Sequence, residues 1–140
     1  MNKAVGICLT SIMVSIVTLL SFTILPSDAQ VTTCDNPGQF SRLFDGTFTV
    51  GTGQPGPQLD SFRAGGGQGL VCIDFDGVNT PGVKTAELAV NNMQIVGHSD
   101  VNPTVTHLES MVSLINDGNH VMAKVWGQPG DSMRVQIFRV

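Results

Sequence analysis

Apolar and polar residues alternate along much of the chain, with a period of two. Residues 69–76 read GLVCIDFD, in which Val71, Ile73 and Phe75 share one face. Successive side chains of a β-strand point to opposite sides of the sheet. The segment is therefore predicted to be a strand with one apolar face, ending at the Asp76-Gly77 turn signal.

Further segments show the same alternation and are predicted to be strands. One is a short run around Phe48 and Val50, following an Asp45-Gly46 turn signal. The others are residues 83–90, 93–96, 119–127 and 132–140. By contrast, Gly and Pro dominate residues 51–69, which are predicted to form a loop.

Turn-forming sequences separate these predicted strands. Asn91-Asn92 and Asn116-Asp117-Gly118 suit tight turns with left-handed residues. In Gln128-Pro129-Gly130-Asp131, Pro presets φ at the first central position and Gly accepts a positive φ at the second, which favours a type II turn. Residues 104–115, 119–127 and 132–140 are accordingly expected to form an antiparallel meander of three strands.

Residues 104–115 fit two patterns. As a strand they place Leu108, Val112 and Leu114 on one face. As a helix over about 106–115 they show apolar residues at i, i+3, i+4 and i+7, with a capping-box-like Thr106-x-x-Glu109. The Thr, Val and Ser content and the turn that follows favour the strand.

Many short strands separated by turns predict an all-β fold, a small antiparallel β-sandwich or barrel-like domain. The alternative, with the short helix at about 106–115, is an α+β fold.

The N-terminus predicts an export signal. Residues 4–25 carry no charge, follow Lys3 and precede Pro26-Ser27-Asp28-Ala29, which is typical of a secretory signal peptide covering residues 1–29. Residues 30–140 are then a single β-rich domain. The apolar run is also long enough to span a membrane, so an uncleaved anchor at 4–25 is the alternative. Either interpretation places the domain outside the cytoplasm.

Cysteine number supports this interpretation. The chain has three cysteines, and removal of residues 1–29 leaves Cys34 and Cys72. An even number in an oxidising compartment predicts one Cys34–Cys72 disulfide.

Composition narrows the function classes. Charged residues make up 13% of the chain, against about 25% in typical domains, and the net charge is −4 with only seven Lys and Arg. This excludes a highly charged disordered chain and argues against nucleic-acid binding, which requires a basic surface. Membrane association is expected only if the N-terminal segment stays uncleaved.

Two sets of residues are candidate metal ligands, although no resident cofactor is expected. Imidazole and carboxylate groups suit zinc or copper, so His98, Asp100, His107 and His120 form one set. The other set, Asp74, Asp76 and Asn79, offers oxygen ligands for calcium but lacks the spacing of an EF-hand. Scattered surface histidines and turn-capping carboxylates are the simpler interpretations.

No catalytic motif appears, and no catalytic residue is assigned. Trp126 is the candidate binding residue, because an exposed aromatic ring can contact a sugar or a protein; a buried core position is the simpler interpretation. The sequence thus favours a secreted or surface-associated module with a binding or structural role and a protein or carbohydrate ligand. A small metal-binding protein and a hydrolase with a non-local active site are the alternatives.

Overall fold

The structure, a computed structural model, describes residues 34–35, 40–77 and 82–140. Within them the backbone forms eight β-strands. They are β1 (Ser41–Thr49), β2 (Gln58–Ala64), β3 (Gly67–Asp76), β4 (Thr85–Val90), β5 (Met93–Val96), β6 (His107–Leu114), β7 (Asp117–Trp126) and β8 (Ser132–Arg139).

The strands form two four-stranded antiparallel sheets. The first sheet has the order β1-β8-β3-β6 and the second β2-β7-β4-β5. The inward side chains of both sheets share one apolar core, in which Ile73, Leu88, Val121 and Met133 have 0–1% exposure. The predicted all-β fold is therefore confirmed as a β-sandwich.

β3 is buried on both faces. Val71 and Ile73 face the core between the sheets, whereas Leu70 and Cys72 lie on the opposite side, in a small cluster with Phe138. This outer cluster is covered by Cys34 and Phe40. A strand that is covered on both sides occupies an inner position, and β3 accordingly pairs with both β8 and β6.

Residues 107–114 form a strand, as favoured from the sequence, and the helix at about 106–115 is wrong. Along β6, Leu108, Val112 and Leu114 contribute to the core, whereas the alternate residues 107, 109, 111 and 113 face outward. The eight-residue register with β3, from His107↔Asp74 to Leu114↔Gly67, supplies cross-strand hydrogen bonds that a helix would forgo.

The turns predicted at residues 91–92, 116–118 and 128–131 are confirmed. Asn91 and Asn92 have φ of 51° and 64° between β4 and β5, and Asp117 has φ of 75°. Gly130 has φ of 99°, as the third residue of a type II turn requires, and the Asp131 N–H donates to the Gln128 carbonyl over 3.0 Å.

The predicted meander is wrong. β6 and β8 both pair with β3 in the first sheet, whereas β7 belongs to the second sheet. The chain therefore changes sheet at each of the two connections. The turns alone predicted where strands end but not which strands pair, because β3 comes from a distant part of the sequence.

Two local predictions also need correction. Part of the predicted loop 51–69 is strand: β2 lies within it and pairs with β7, and β3 begins at Gly67. Asp45-Gly46 lies inside β1 rather than in a turn. A Cβ added at Gly46 would lie 2.5 Å from Cζ of Phe44, so the glycine makes room for the ring of that residue on the same strand face.

Two predictions concern residues outside those that the structure describes, namely the signal peptide at 1–29 and Asn79 of the calcium set. No helix among the described residues is both long and apolar enough to cross a membrane.

Candidate functional site

The outward side of the second sheet exposes a mixed apolar and polar surface. Cross-strand pairing aligns Leu59 of β2 with Met122 of β7, and Met122 in turn with Ala89 of β4. Leu59 is 76% exposed and Met122 44% exposed. We call this surface the Met122 face; its other members are Glu87, Gln94, Lys124 and Trp126.

Two depressions lie side by side on the Met122 face. The larger has a volume of about 290 Å³ and is lined by Glu87, Leu88, Ala89, Asn92, Gln94 and Met122. The smaller, of about 220 Å³, is lined by Pro57, Glu87, Met122 and Lys124. Glu87 and Met122 line both, so the two depressions adjoin around one carboxylate and one thioether.

Trp126, the predicted binding residue, lies at one end of this face and is half-buried. Its ring centroid is 4.2 Å from that of His98, and Nζ of Lys124 is 4.7 Å from the ring centroid, within cation–π distance. Trp126 therefore contributes to a composite surface with a histidine and a lysine rather than standing as an isolated aromatic ring.

Glu87 links this aromatic end to the depressions. Its Oε1 lies 2.8 Å from Nε2 of His98. The His98 carbonyl accepts a hydrogen bond from Oγ1 of Thr85 over 2.8 Å, which holds the loop after β5 against β4. The position of His98 is thus fixed by its contacts with Thr85 and Glu87. Both Glu87 and His98 remain in contact with solvent.

The predicted zinc or copper ligands are distributed over the two sheets. His98 is beside Glu87, and His120 lies on β7, exposed, in the second sheet. Asp100 accepts a hydrogen bond from the Gly97 N–H over 2.8 Å. His107 lies on β6 of the first sheet, so the structure does not bring these four residues together.

His107 has carboxylates at both ring nitrogens. Nδ1 is 2.6 Å from Oδ1 of Asp74, and Nε2 is 3.2 Å from Oε1 of Glu109. The hydrogen bond with Asp74 is the main reason that the pKa of His107 is raised above its usual value, and Glu109 adds to the effect. Oε1 of Glu109 also accepts the Cys34 N–H over 2.8 Å.

Of the predicted calcium residues, Asp74 and Asp76 lie on the same outward face of β3, and Asp74 is engaged with His107. The predicted disulfide is present: Cys34 and Cys72 are joined, with their Cα atoms 5.8 Å apart. It joins Cys34 to Cys72 of β3, an inner strand of the first sheet.

A network of charged side chains lies on the outward side of the first sheet. Arg134 donates from Nε and Nη2 to the two oxygens of Asp45, over 2.9 and 2.7 Å, and Arg42 lies 3.1 Å from the same carboxylate. The hydrogen bonds from Arg134 are the main reason that the pKa of Asp45 is lowered.

Sequence reasoning missed Glu87, Met122 and Lys124. The alternation in residues 83–90 and 119–127 could have placed each of them on an outward face. It could not have shown that these two strands are neighbours with Glu87 opposite Lys124, because that register is a property of the folded sheet.

No protein-family model matches the chain, and no curated protein matches it. Among solved structures it is similar to the native structure of a family 35 carbohydrate binding module from Clostridium thermocellum. The two share 15% sequence identity with a TM-score of 0.44, over 74% of this chain and 94% of that one. A shared fold does not determine a ligand.

Proposed function

We propose that this protein is a secreted or surface-associated binding module, and that its Met122 face binds a glycan. The observation that carries the proposal is the pair of adjoining depressions that share Glu87 and Met122. Binding sites of small ligands are concave, with apolar surface and a few polar groups that set orientation. Two adjoining depressions suit an elongated ligand of repeating units.

The lining groups match the chemistry of sugars. Asn92 and Gln94 carry both donors and acceptors, Glu87 accepts and Lys124 donates, so together they can satisfy hydroxyl groups in either role. Met122 and Ala89 supply apolar surface for the C–H faces of sugar rings. Charge-assisted hydrogen bonds to Glu87 and Lys124 would be the strongest of these contacts.

Export is part of the proposal. Residues 1–29 have the pattern of a secretory signal peptide, and disulfides such as Cys34–Cys72 form and persist in oxidising compartments. Sugars of cell surfaces and extracellular polymers are accessible there. A protein that binds glycans in this way needs no nucleophile or general base, in keeping with the absence of catalytic motifs from the sequence.

The test is titration calorimetry against soluble oligosaccharides of glucose, xylose, mannose and galacturonic acid. We expect the wild-type chain to bind at least one of them. Glu87→Gln and Lys124→Met keep the shape of the side chains but remove their charges. Each should raise the Kd for that oligosaccharide about tenfold or more, since hydrogen bonds to charged groups contribute about 1.5–3 kcal/mol.

Thr47→Ala and Ser113→Ala are the matched controls, because both residues are exposed on strands of the first sheet. They should leave the Kd unchanged. If the Kd is unchanged in both the Glu87→Gln and the Lys124→Met variants, the ligand binds outside the Met122 face. A chain that binds no member of the panel would contradict the glycan, and the exposed Leu59 and Met122 would then make a protein surface the better candidate.

A further inference from the structure

The disulfide of the first sheet adjoins two metal-ligating side chains. Sγ of Cys34, a ring nitrogen of His107 and a carboxylate oxygen of Glu109 all lie within 4.8 Å of one another. Among the residues that the structure describes, this is the one group of three such side chains that converges. Cys72 is bonded to Cys34 and is the direct cross-strand partner of Glu109, although its Sγ is not one of the atoms that converge within this distance.

The orientation of His107 is the one that metal-bound histidines adopt. Such histidines usually donate the second ring N–H to a carboxylate, which fixes the ring and increases the basicity of the ligating nitrogen. Here Nδ1 lies 2.6 Å from Asp74, which leaves Nε2 facing Glu109 at 3.2 Å. In a metal site at this position, His107 and Glu109 would be ligands and Asp74 would be a supporting residue.

The sulfur atoms are not ligands while they are bonded to each other. Zinc is held by thiolates, imidazole nitrogens and carboxylate oxygens in a tetrahedron, with bond lengths of about 2.0–2.3 Å and hence ligand atoms roughly 3.3–3.8 Å apart. Separation of the two sulfurs to that distance, with the other two side chains already alongside, would complete a four-ligand set.

We propose that reduction of the Cys34–Cys72 disulfide creates a zinc site made of Cys34, Cys72, His107 and Glu109. The site lies on the first sheet, so the proposal is independent of glycan binding on the Met122 face. The same region would then be cross-linked in two ways. The disulfide cross-links it in the oxidised chain, and the zinc ion would cross-link it in the reduced chain. In both states the segment before β1 stays attached to β3 and β6.

The chemistry balances with an ordinary reductant. A dithiol transfers two electrons and two protons to the disulfide, giving the two cysteine thiols and its own cyclic disulfide. A trialkylphosphine gives the same two thiols with water as the oxygen source, and becomes a phosphine oxide. Zinc binding then displaces the two thiol protons into solvent, together with a proton on Nε2 of His107 where that nitrogen carries one.

The experiment uses the full chain reduced anaerobically with a phosphine, which binds zinc weakly. Zinc affinity is measured by competition with a chromophoric chelator, and Co²⁺ serves as a spectroscopic probe. We expect one Zn²⁺ per reduced chain, and a Co²⁺ complex with the intense d–d bands of tetrahedral geometry and a thiolate charge-transfer band. The oxidised chain should show neither band.

Variants distinguish this site from adventitious binding. His107→Ala and Glu109→Gln should each weaken zinc binding about tenfold or more, and Asp74→Asn about 10–100-fold, the range typical of a supporting carboxylate. His98→Ala is the matched control, because His98 lies in the loop after β5 and also contacts a glutamate. It should leave the affinity unchanged.

Three results would overturn the proposal. One is equal zinc affinity in the oxidised and reduced chains. Another is equal affinity in the reduced wild-type chain and the reduced His107→Ala chain, which indicates binding by the thiols alone. The third is a reduced chain whose circular dichroism shows unfolding with zinc present, because the four ligands are then not assembled.

Discussion

Asn119 is a fully buried polar side chain that connects two turns. Its Oδ1 accepts hydrogen bonds from Nδ2 of Asn91 over 2.8 Å and from the Ile115 N–H over 3.0 Å. Its Nδ2 donates to the Ile115 carbonyl over 3.0 Å. The amide therefore satisfies backbone groups before β7 and also holds the β4–β5 turn.

Asn119→Ala should lower the free energy of unfolding by about 1–3 kcal/mol, because it leaves both polar backbone groups of Ile115, which are part-buried, without this hydrogen-bond partner. Urea unfolding measures the loss. Ser113→Ala, at an exposed position, should change it by no more than about 0.5 kcal/mol. Equal effects of the two substitutions would show that the amide does not stabilise the fold.

Asp45 makes the stability of the fold depend on pH. Its pKa lies below the usual 3.8 in the folded chain because Arg134 donates to both carboxylate oxygens. A carboxylate with a lowered pKa stabilises the folded state above its unfolded pKa and loses that contribution as the pH falls through the folded value.

Asp45→Asn should therefore reduce stability at about pH 6 and have progressively less effect as the pH falls below about 4. The effect is small, since the Arg134 and Asp45 side chains are 48% and 28% exposed. Urea midpoints of wild type and variant across this pH range provide the measurement. A difference between them that does not change with pH would contradict the role of this carboxylate.

Among the strands, the packing of β1 against the core depends on Gly46. Gly46 lies beneath the Phe44 ring, and that ring contacts Phe62 of β2 with centroids 5.3 Å apart, joining the two sheets. Residues two apart on a strand share a face, so any side chain at 46 competes with the ring for the same space.

Gly46→Ala should cost about 1–3 kcal/mol, the usual penalty for overpacking a core. The matched control is Gly51→Ala, because a Cβ at Gly51 meets no atom within 4 Å. Thermal unfolding followed by circular dichroism compares the two. If Gly46→Ala is as stable as Gly51→Ala, the ring does not need the space that the glycine leaves.

The Cys34–Cys72 disulfide fastens the segment before β1 to the middle of β3 across a sequence separation of 38. Loop-entropy reasoning gives about 4 kcal/mol for a loop of this length. Cys34→Ser should lower the free energy of unfolding by up to that amount without zinc. Denaturant titration measures it, and an unchanged value would indicate that this segment contributes nothing to the fold.

Strand positions were predictable from the sequence, but strand partners were not. The period-two pattern predicted β3, β4, β5, β7 and β8 because each has one face directed at the core. β2 was missed because it is a mostly exposed edge strand within a Gly- and Pro-rich region, where Leu59 points to solvent. The meander was wrong because local turns do not encode the pairing of β6 and β8 with β3.

For the whole molecule, the candidate site was less predictable than the fold. Trp126 was selected from residue type alone, and the structure places it beside His98 and Lys124 at the end of the Met122 face. Glu87 and Met122 could not be recognised as site residues from the sequence. They are candidates only because both line the same two depressions in the folded chain. His107 was selected as a ligand, but its neighbours Glu109 and Cys34 come from cross-strand register and the disulfide.

The proposed function requires that the Met122 face is the binding surface. The most direct measurement is backbone amide chemical shifts, recorded while the oligosaccharide that binds best is titrated into the labelled chain. We expect the largest shifts in residues 87–94 and 122–126. Largest shifts on the outward side of the first sheet, around Thr47, Ser113 and Arg134, would contradict it, as would unchanged shifts with every oligosaccharide of the panel.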